Sequence, residues 1–208
     1  MAKLESTFKN MVLSLVIISL VAAGALAGVY ILTEHNIALQ KEQKQQAAIL
    51  AVLPEGCTIA EPQEKDGLTI YKAFSGDQWI ATAVETSEVG FDGPQKIMVG
   101  FDAEGQVLDY VVLEQTETPG LGAHIDHWFK DAVANRSIIG KKAGALSVSK
   151  DGGEIDAITA ATISSRAFLK AINKAYAAIA AEPEEAATGA SQLQPAQEVE
   201  SNEQMVND

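Results

Sequence analysis

One cysteine in 208 residues removes several chemistries at once. Cys57 has no partner for an internal disulfide, cannot hold an iron–sulfur cluster, and cannot supply the thiolates of a structural zinc site. A small buried filler suits it better. Histidine is almost as scarce, at three. His124 and His127 stand at the i, i+3 spacing that shares a helix face, but zinc needs three or four ligands and His35 lies far off along the chain. No metal site is expected. Basic residues are few as well, 15 Lys and Arg against 28 Asp and Glu. With no basic patch and no interleaving of aromatic and basic residues, nucleic-acid binding is excluded. A nucleophile elbow, a phosphate-cradling glycine loop and the GxGxxG fingerprint are all missing.

The acidity is uneven. Residues 182–208 carry seven acidic residues and neither Lys nor Arg. That tail is rich in Pro, Ala, Gln and Ser, offers little to bury, and is expected to be disordered.

Against these absences stands one long hydrophobic run. Met11 to Leu32 is 22 residues without a charge, and at ~1.5 Å per residue it crosses a hydrocarbon core of roughly 30 Å. Lys3 and Lys9 precede it, and Glu34 and His35 follow, which favours a cytoplasmic N-terminus with the remaining chain outside. A cleaved signal peptide competes, because Ala25-Leu26-Ala27 resembles a cleavage site, but Tyr30-Ile31-Leu32 continue the run beyond it, and a retained anchor is favoured. Gly24 and Gly28 could seat another membrane helix. The chain thus divides into a cytoplasmic N-terminus (1–10), a transmembrane helix (11–32), a connecting helix and linker (33–64), an extracytoplasmic domain (65–181) and the acidic tail (182–208).

Within the connecting segment, Glu34 to Leu53 reads as a helix continuing from the span, docked through Ile49, Leu50, Val52 and Leu53 and ended by Pro54-Glu55-Gly56. Four strands are expected at 68–74, 78–86, 96–101 and 107–113, joined by the hairpin-type connectors Ser75-Gly76-Asp77 and Asp102-Ala103-Glu104-Gly105. A helix over 124–134 should bury Ile125, Trp128 and Phe129. Two more strands are expected at 145–149 and 154–158, and a closing helix at 166–181, with Phe168, Ile172, Ala175 and Ile179 on one face. Strands followed by helices make an α+β domain: one N-terminal transmembrane helix, then a mainly antiparallel sheet with packed helices.

The chemistry concentrates at Asp156-Ala157-Ile158-Thr159-Ala160-Ala161-Thr162-Ile163-Ser164-Ser165. Small residues and two threonines stand between a strand-like run and an amphipathic helix. Thr162 therefore lies at a helix mouth, where unsatisfied N–H groups and the positive dipole end favour an anion. The alternative is that Thr162 and Ser164 merely cap the helix. A second stretch, Glu114-Gln115-Thr116-Glu117-Thr118-Pro119-Gly120-Leu121-Gly122, reads as a strand ending in a tight turn whose main chain could lie against a flat ring.

Together these stretches resemble one family. Asp156-x-x-Thr159-Ala160-Ala161-Thr162 is similar to the Asp-x-x-(Ser/Thr)-Gly-Ala-Thr signature of the FMN-binding domain in Rnf and Na+-translocating quinone reductase complexes. The Glu114 to Gly122 stretch and Gly90-Phe91-Asp92-Gly93-Pro94 resemble the same family, in its order. Ala160 stands where the family often has glycine, and its methyl is compatible only with a backbone away from positive φ.

The resemblance implies that a flavin transferase joins FMN through its phosphate to Thr162, giving a covalent phosphothreonyl flavin. Thr159, Ala161 and Ile163 would line the attachment turn, Thr118, Gly120, Leu121 and Gly122 would approach the flavin, and Asp156 would be read by the transferase. It implies an electron-carrying subunit, a one- or two-electron relay within an ion-translocating ferredoxin:NAD+ oxidoreductase, with other membrane subunits of the Rnf complex as partners. The chain has no NAD or ferredoxin site of its own and would not be catalytically complete alone. The C subunit of a Na+-translocating NADH:quinone reductase ranks lower because the domain is compact between its motifs. A flavin-free membrane-anchored binding module is the third reading.

Overall fold

A computed structural model describes residues 7–181 of the chain; the acidic tail and Lys3 lie outside the described residues. A single helix, α1 (Phe8–Val52), carries the apolar run straight into the segment that docks on the sheet. Its apolar part is long and hydrophobic enough to cross a membrane, and none of that stretch is buried against the protein. No proline or glycine pair interrupts the 45 residues until Leu53 turns extended ahead of Pro54.

The sheet follows as β1 (Thr58–Ile59), β2 (Gln63–Lys65), β3 (Leu68–Ser75), β4 (Gln78–Val89), β5 (Pro94–Asp102) and β6 (Val107–Glu114). Its spatial order is β1-β3-β4-β5-β6, with β2 also on β3, and every pairing is antiparallel. Glycines at positive φ, Gly76 and Gly105, close the β3–β4 and β5–β6 hairpins. Two short strands, β1 and β2, lie in the segment expected to be linker; at two and three residues they are too short for a period-2 pattern to reveal.

Alternation sorts the strands onto two buried faces. Ile70, Val84, Ile97, Val99, Phe101, Val107 and Tyr110 face one core, completed by the last helix, α2 (Thr162–Ala180). Tyr71, Ala73, Ala81, Ala83, Met98 and Leu113 face the other, where Ala48, Ile49, Val52 and Leu53 settle. Leu50, expected in that contact, is instead 66% exposed, because it lies on the far side of the helix; Ala48 takes its place. Small residues on this face let the helix approach closely. A side chain at Gly100 would begin 2.0 Å from the Val52 carbonyl oxygen. Polar contacts fix the register: Lys44 donates to the Leu113 carbonyl, Gln45 bonds Tyr71 and Glu85, and Lys96 pairs with Glu85 at 2.6 Å.

Two expectations fail between β6 and α2. Residues 124–134 do not form an α-helix; the chain makes two 3₁₀ turns, Gly122–Asp126 and Trp128–Lys130, separated by His127 at φ −136°. Ile125 and Phe129 are nonetheless fully buried, and that burial holds the turns without a helix whose nucleation is costly over so few residues. The strands expected at 145–149 and 154–158 reduce to one parallel bridge, Val148 to Ile155. Only the 3₁₀ turn Ser149–Asp151, two glycines and Glu154 connect them, far short of the crossover of about a dozen residues that a longer parallel ladder needs. The closing helix is α2, four residues longer at its start than expected. Phe168, Ile172 and Ala175 are fully buried and Ile179 partly so. Phe129 stacks on Phe168 at 4.6 Å and Tyr110 meets it edge-on at 4.8 Å. The domain is α+β, as its sequence implies.

Candidate functional site

Three loops converge at the start of α2, and Glu117 is the group that joins them. Its side chain is only 4% exposed. One carboxylate oxygen accepts the Phe91 N–H at 2.8 Å and the Gln95 amide at 2.8 Å; the other accepts the Ser164 hydroxyl at 2.7 Å. The Gly90 turn, the Thr116–Gly122 loop and the first turn of α2 therefore share one carboxylate. Two glycines make room for it. A Cβ at Gly90 would sit 1.8 Å from the carboxylate, and one at Gly122 would collide with both Glu117 and Ser164, at 2.5 and 2.6 Å. Thr116 adds a bond to the Asp92 carbonyl.

The start of α2 is left without a side-chain cap. Its N-cap is Ala161, and no side chain satisfies the first turn. The capping alternative for Thr162 and Ser164 is thereby overturned. Ser164 is turned inward to Glu117, and Ser165 donates to the Ala161 carbonyl while accepting the Ile158 N–H. Thr162 is the first helical residue, and its half-buried hydroxyl accepts a bond from Lys150 at 3.2 Å. Arg166, one turn further on, forks onto Asp151 at 2.6 and 2.7 Å and holds that carboxyl below its usual range. With Arg166 matched by Asp151, the uncapped N–H groups, the helix dipole and the Lys150 ammonium are what favour an anion at this corner.

Ala160 departs from its expected backbone. It lies at φ +61°, the left-handed region its methyl was expected to avoid. Such a conformation costs a residue with a Cβ about 1–2 kcal/mol. The turn between Ile158 and Thr162 requires it, because Ala161 N–H bonds back to the Ile158 carbonyl at 3.0 Å.

A cleft of about 310 Å³ opens beside Thr162, lined by Phe91, Thr118, Leu121, Ala161 and Ile163 among others. Its rim is apolar and unusually exposed: Phe91 is 67%, Ile163 52% and Leu121 40% accessible. Of the residues singled out by sequence, Thr162, Ala161, Ile163, Thr118, Leu121 and Gly122 meet around this cleft. Thr159 and Gly120 are exposed and do not line it, and Gly120 serves the turn instead, at φ +78°. Asp156 also lies away from it. Its carboxylate accepts Ser149 and the Asn135 N–H, and its carbonyl accepts Trp128, so it clasps the 128–136 segment. Phe91, Glu117, Ala160 and Ser164 are lining residues that sequence reasoning did not name as site residues. The exposed aromatic in the Gly90-Phe91 motif was the available signal for the first.

A larger hollow of about 770 Å³ runs beside β6 between Lys44, Lys96 and Lys130. It is far more polar and, although Pro94 and Glu114 to Thr116 border it, it reaches none of the residues from Ala160 to Ser164, so volume alone does not make it the site. No group of three or more metal-ligating side chains is present among the described residues. The smaller cleft is at the lower end of ligand-pocket sizes. An open apolar slot beside an uncapped helix start suits a flat ring carrying a phosphate arm. FMN has that shape and chemistry, and the residues present fit it.

Comparison with known proteins agrees with that chemistry. Residues 90–177 match the model of the FMN-binding domain, so in that stretch the chain is similar to proteins of the FMN-binding class. The curated relatives are more particular. The G subunit of the ion-translocating oxidoreductase complex from Vibrio vulnificus (strain YJ016) is 36% identical over 179 residues, 77% of this chain and 83% of the relative. Its counterparts from Aliivibrio fischeri (strain ATCC 700601 / ES114) and Escherichia coli (strain K12) are 30% and 32% identical, covering 82% and 74% of this chain and 89% and 82% of the relatives. The chain belongs to the family of G subunits of ion-translocating oxidoreductase complexes.

Proposed function

We propose that this chain is the electron-carrying G subunit of an Rnf-type ion-translocating ferredoxin:NAD+ oxidoreductase, with FMN joined covalently through its phosphate to Thr162. The single observation that carries the attachment is the uncapped start of α2, where the Thr162 hydroxyl faces a cation beside an exposed apolar cleft. FMN, when bound, supplies one- or two-electron transfer between neighbouring redox centres. The protein's part is to bind, orient and cover. Phe91, Leu121 and Ile163 offer apolar surface to the ring. Main chain around Thr118, Gly122 and Ala161 shapes the approach, and the first turn of α2 solvates the phosphate. Glu117 holds the loops that carry these groups and is itself screened from the solvent.

A tether suits a protein working outside the cytoplasm, where a lost nucleotide is not readily replaced. The reading accordingly includes a single-pass anchor at 11–32, residues 1–10 in the cytoplasm, and the FMN-binding domain at 65–181 on the opposite side of the membrane. The partners are the other membrane subunits of the complex and a flavin transferase that reads the segment from Asp156 to Thr162. The similarity in length and sequence to the G-subunit relatives supports this over the quinone reductase alternative.

Peptide mass spectrometry tests it. Chain purified from cells that carry the transferase should yield a Thr162-containing peptide bearing FMN less water, and a yellow fluorescent band on a denaturing gel. Thr162→Ala should fold and lose both signals. Covalent flavin persisting in Thr162→Ala would end the assignment.

A further inference from the structure

Lys150 precedes Thr162 by twelve residues and belongs to none of the motifs, yet the fold delivers its ammonium to the one oxygen the proposed attachment uses. The delivery is built from two sides. The 3₁₀ turn Ser149–Asp151 is tied to the strand-like segment before α2 by the Val148–Ile155 bridge and by the bond from Ser149 N–H to the Ile155 carbonyl. It is tied to α2 itself by the Asp151–Arg166 fork. Gly152 ends the turn at φ +85°, and at Gly153 a side chain would meet the Ser147 carbonyl oxygen at 2.1 Å. The turn therefore stands over the helix mouth with Lys150 Nζ 3.2 Å from Thr162 Oγ1.

The charges around it leave that ammonium available. Asp151 is matched by Arg166, and Asp156 faces Ser149 and the Asn135 N–H. Among the described residues Lys150 forms no salt bridge, and the Thr162 hydroxyl is its hydrogen-bond partner. Lys150 is exposed. Its replacement leaves no buried group unsatisfied, so the fold does not explain its placement.

We propose that Lys150 is the counter-charge of the phosphate diester at Thr162, receiving the phosphate during loading and fixing it afterwards. The inference rests on the covalent attachment proposed above. An ammonium that reaches the ester oxygen also reaches the phosphate oxygens bonded through the same phosphorus, with no movement of backbone. Ammonium, uncapped helix N–H groups and dipole then act on one anion. The Lys150 contribution is that of a solvent-exposed pair, which limits it to several-fold in rate or affinity and makes it sensitive to salt.

The test uses the full chain in detergent, with purified transferase and a flavin dinucleotide donor: the Thr162 Oγ1–P bond forms as the donor's pyrophosphate P–O bond breaks, a nucleoside monophosphate leaves, and the hydroxyl proton passes to solvent. Lys150→Gln should load about three- to fivefold more slowly than the native chain and Lys150→Glu about tenfold more slowly, while Lys150→Arg loads at nearly the native rate. The unloaded variants should melt at the native temperature. In the loaded native protein the 31P resonance of the diester should move on adding salt; in loaded Lys150→Gln it should start displaced and move little. Equal loading rates with an unchanged 31P signal would overturn the proposal while leaving the attachment intact. Slower loading with an unchanged 31P signal would also overturn it, since Lys150 would then serve transferase docking. A native chain that comes back without any flavin adduct would overturn the attachment and this inference together.

Discussion

Replacing Glu117 by alanine removes the acceptor for three donors at once: the Phe91 N–H, the Gln95 amide and the Ser164 hydroxyl. Bonds to a buried charged acceptor are worth about 1.5–3 kcal/mol each, and an abandoned buried donor carries its full desolvation penalty. Phe91 and Ser164 border the open cleft, so water entering the space will recover part of that loss, whereas the fully buried Gln95 amide keeps only its longer bond to the Ser164 carbonyl, at 3.3 Å. The net cost works out at about 3–4 kcal/mol, or roughly 10 °C in melting temperature for a domain of this size. Glutamine in the same place keeps the shape. Its oxygen serves Phe91 and Gln95, and its amide donates to a Ser164 hydroxyl that only needs to rotate. Glu117→Gln should therefore cost about 1 kcal/mol, roughly 3 °C.

Thermal unfolding of the detergent-solubilised chain, followed by Trp79 and Trp128 fluorescence, measures both variants. Amide exchange at Phe91 locates the damage, since it should accelerate strongly in the alanine variant and little in the glutamine one. If glutamine is as damaging as alanine, the carboxylate acts through its charge and not as a shaped acceptor. If alanine costs under about 1 kcal/mol, the three loops are held by something else.

Other outcomes follow from single residues. Ala160→Gly should raise stability by about 0.5–1 kcal/mol, the left-handed strain less glycine's own entropy cost, visible as a melting point about 2 °C higher; an unchanged or lower value would place the strain elsewhere. Burial holds the Tyr110 hydroxyl well above its ordinary range, while it donates to the Ile125 carbonyl at 2.7 Å. A folded-state pKa above the unfolded one gives stability that is complete below about pH 10 and falls as pH rises beyond it, because the unfolded chain ionises first. Denaturant midpoints should drop above pH 10, and Tyr110→Phe should flatten that drop, with a residue left by Tyr71, whose hydroxyl burial and Glu85 also raise. Thr159→Ala should keep its covalent flavin by peptide mass spectrometry; loss of the adduct there would move the attachment to the earlier threonine.

The strands were legible because alternation is strict where both faces are buried. Ile70 and Tyr71, or Val84 and Ala83, point to different cores, and the hairpin glycines mark the turns between them. The helix that begins at Thr162 was legible from its apolar face. What the chain hides between β6 and α2 is hidden for one reason. Ile125, Trp128 and Phe129 have helical spacing, yet they reach the core from successive 3₁₀ turns, and burial there is satisfied by side-chain direction regardless of the backbone hydrogen-bond pattern. The same holds at Val148 and Ile155, which read as strand residues and contribute a single bridge between them.

The site shows a different kind of illegibility. Thr118, Leu121, Gly122, Ala161, Thr162 and Ile163 line one cleft, but the groups beside them carry ordinary surface signatures in the sequence. A glutamate beside two threonines reads as a solvated loop residue; its burial depends on glycines at 90 and 122, which stand 27 residues before it and five after. Lysine in an exposed turn reads as solubility. Both identities are set by distances across loops, and no local window spans them. Glu117 and Lys150 differ in one testable respect that follows from this geometry. Glu117 is enclosed, so its loss should register in folding, while Lys150 is exposed, so its loss should register only once a phosphate is present.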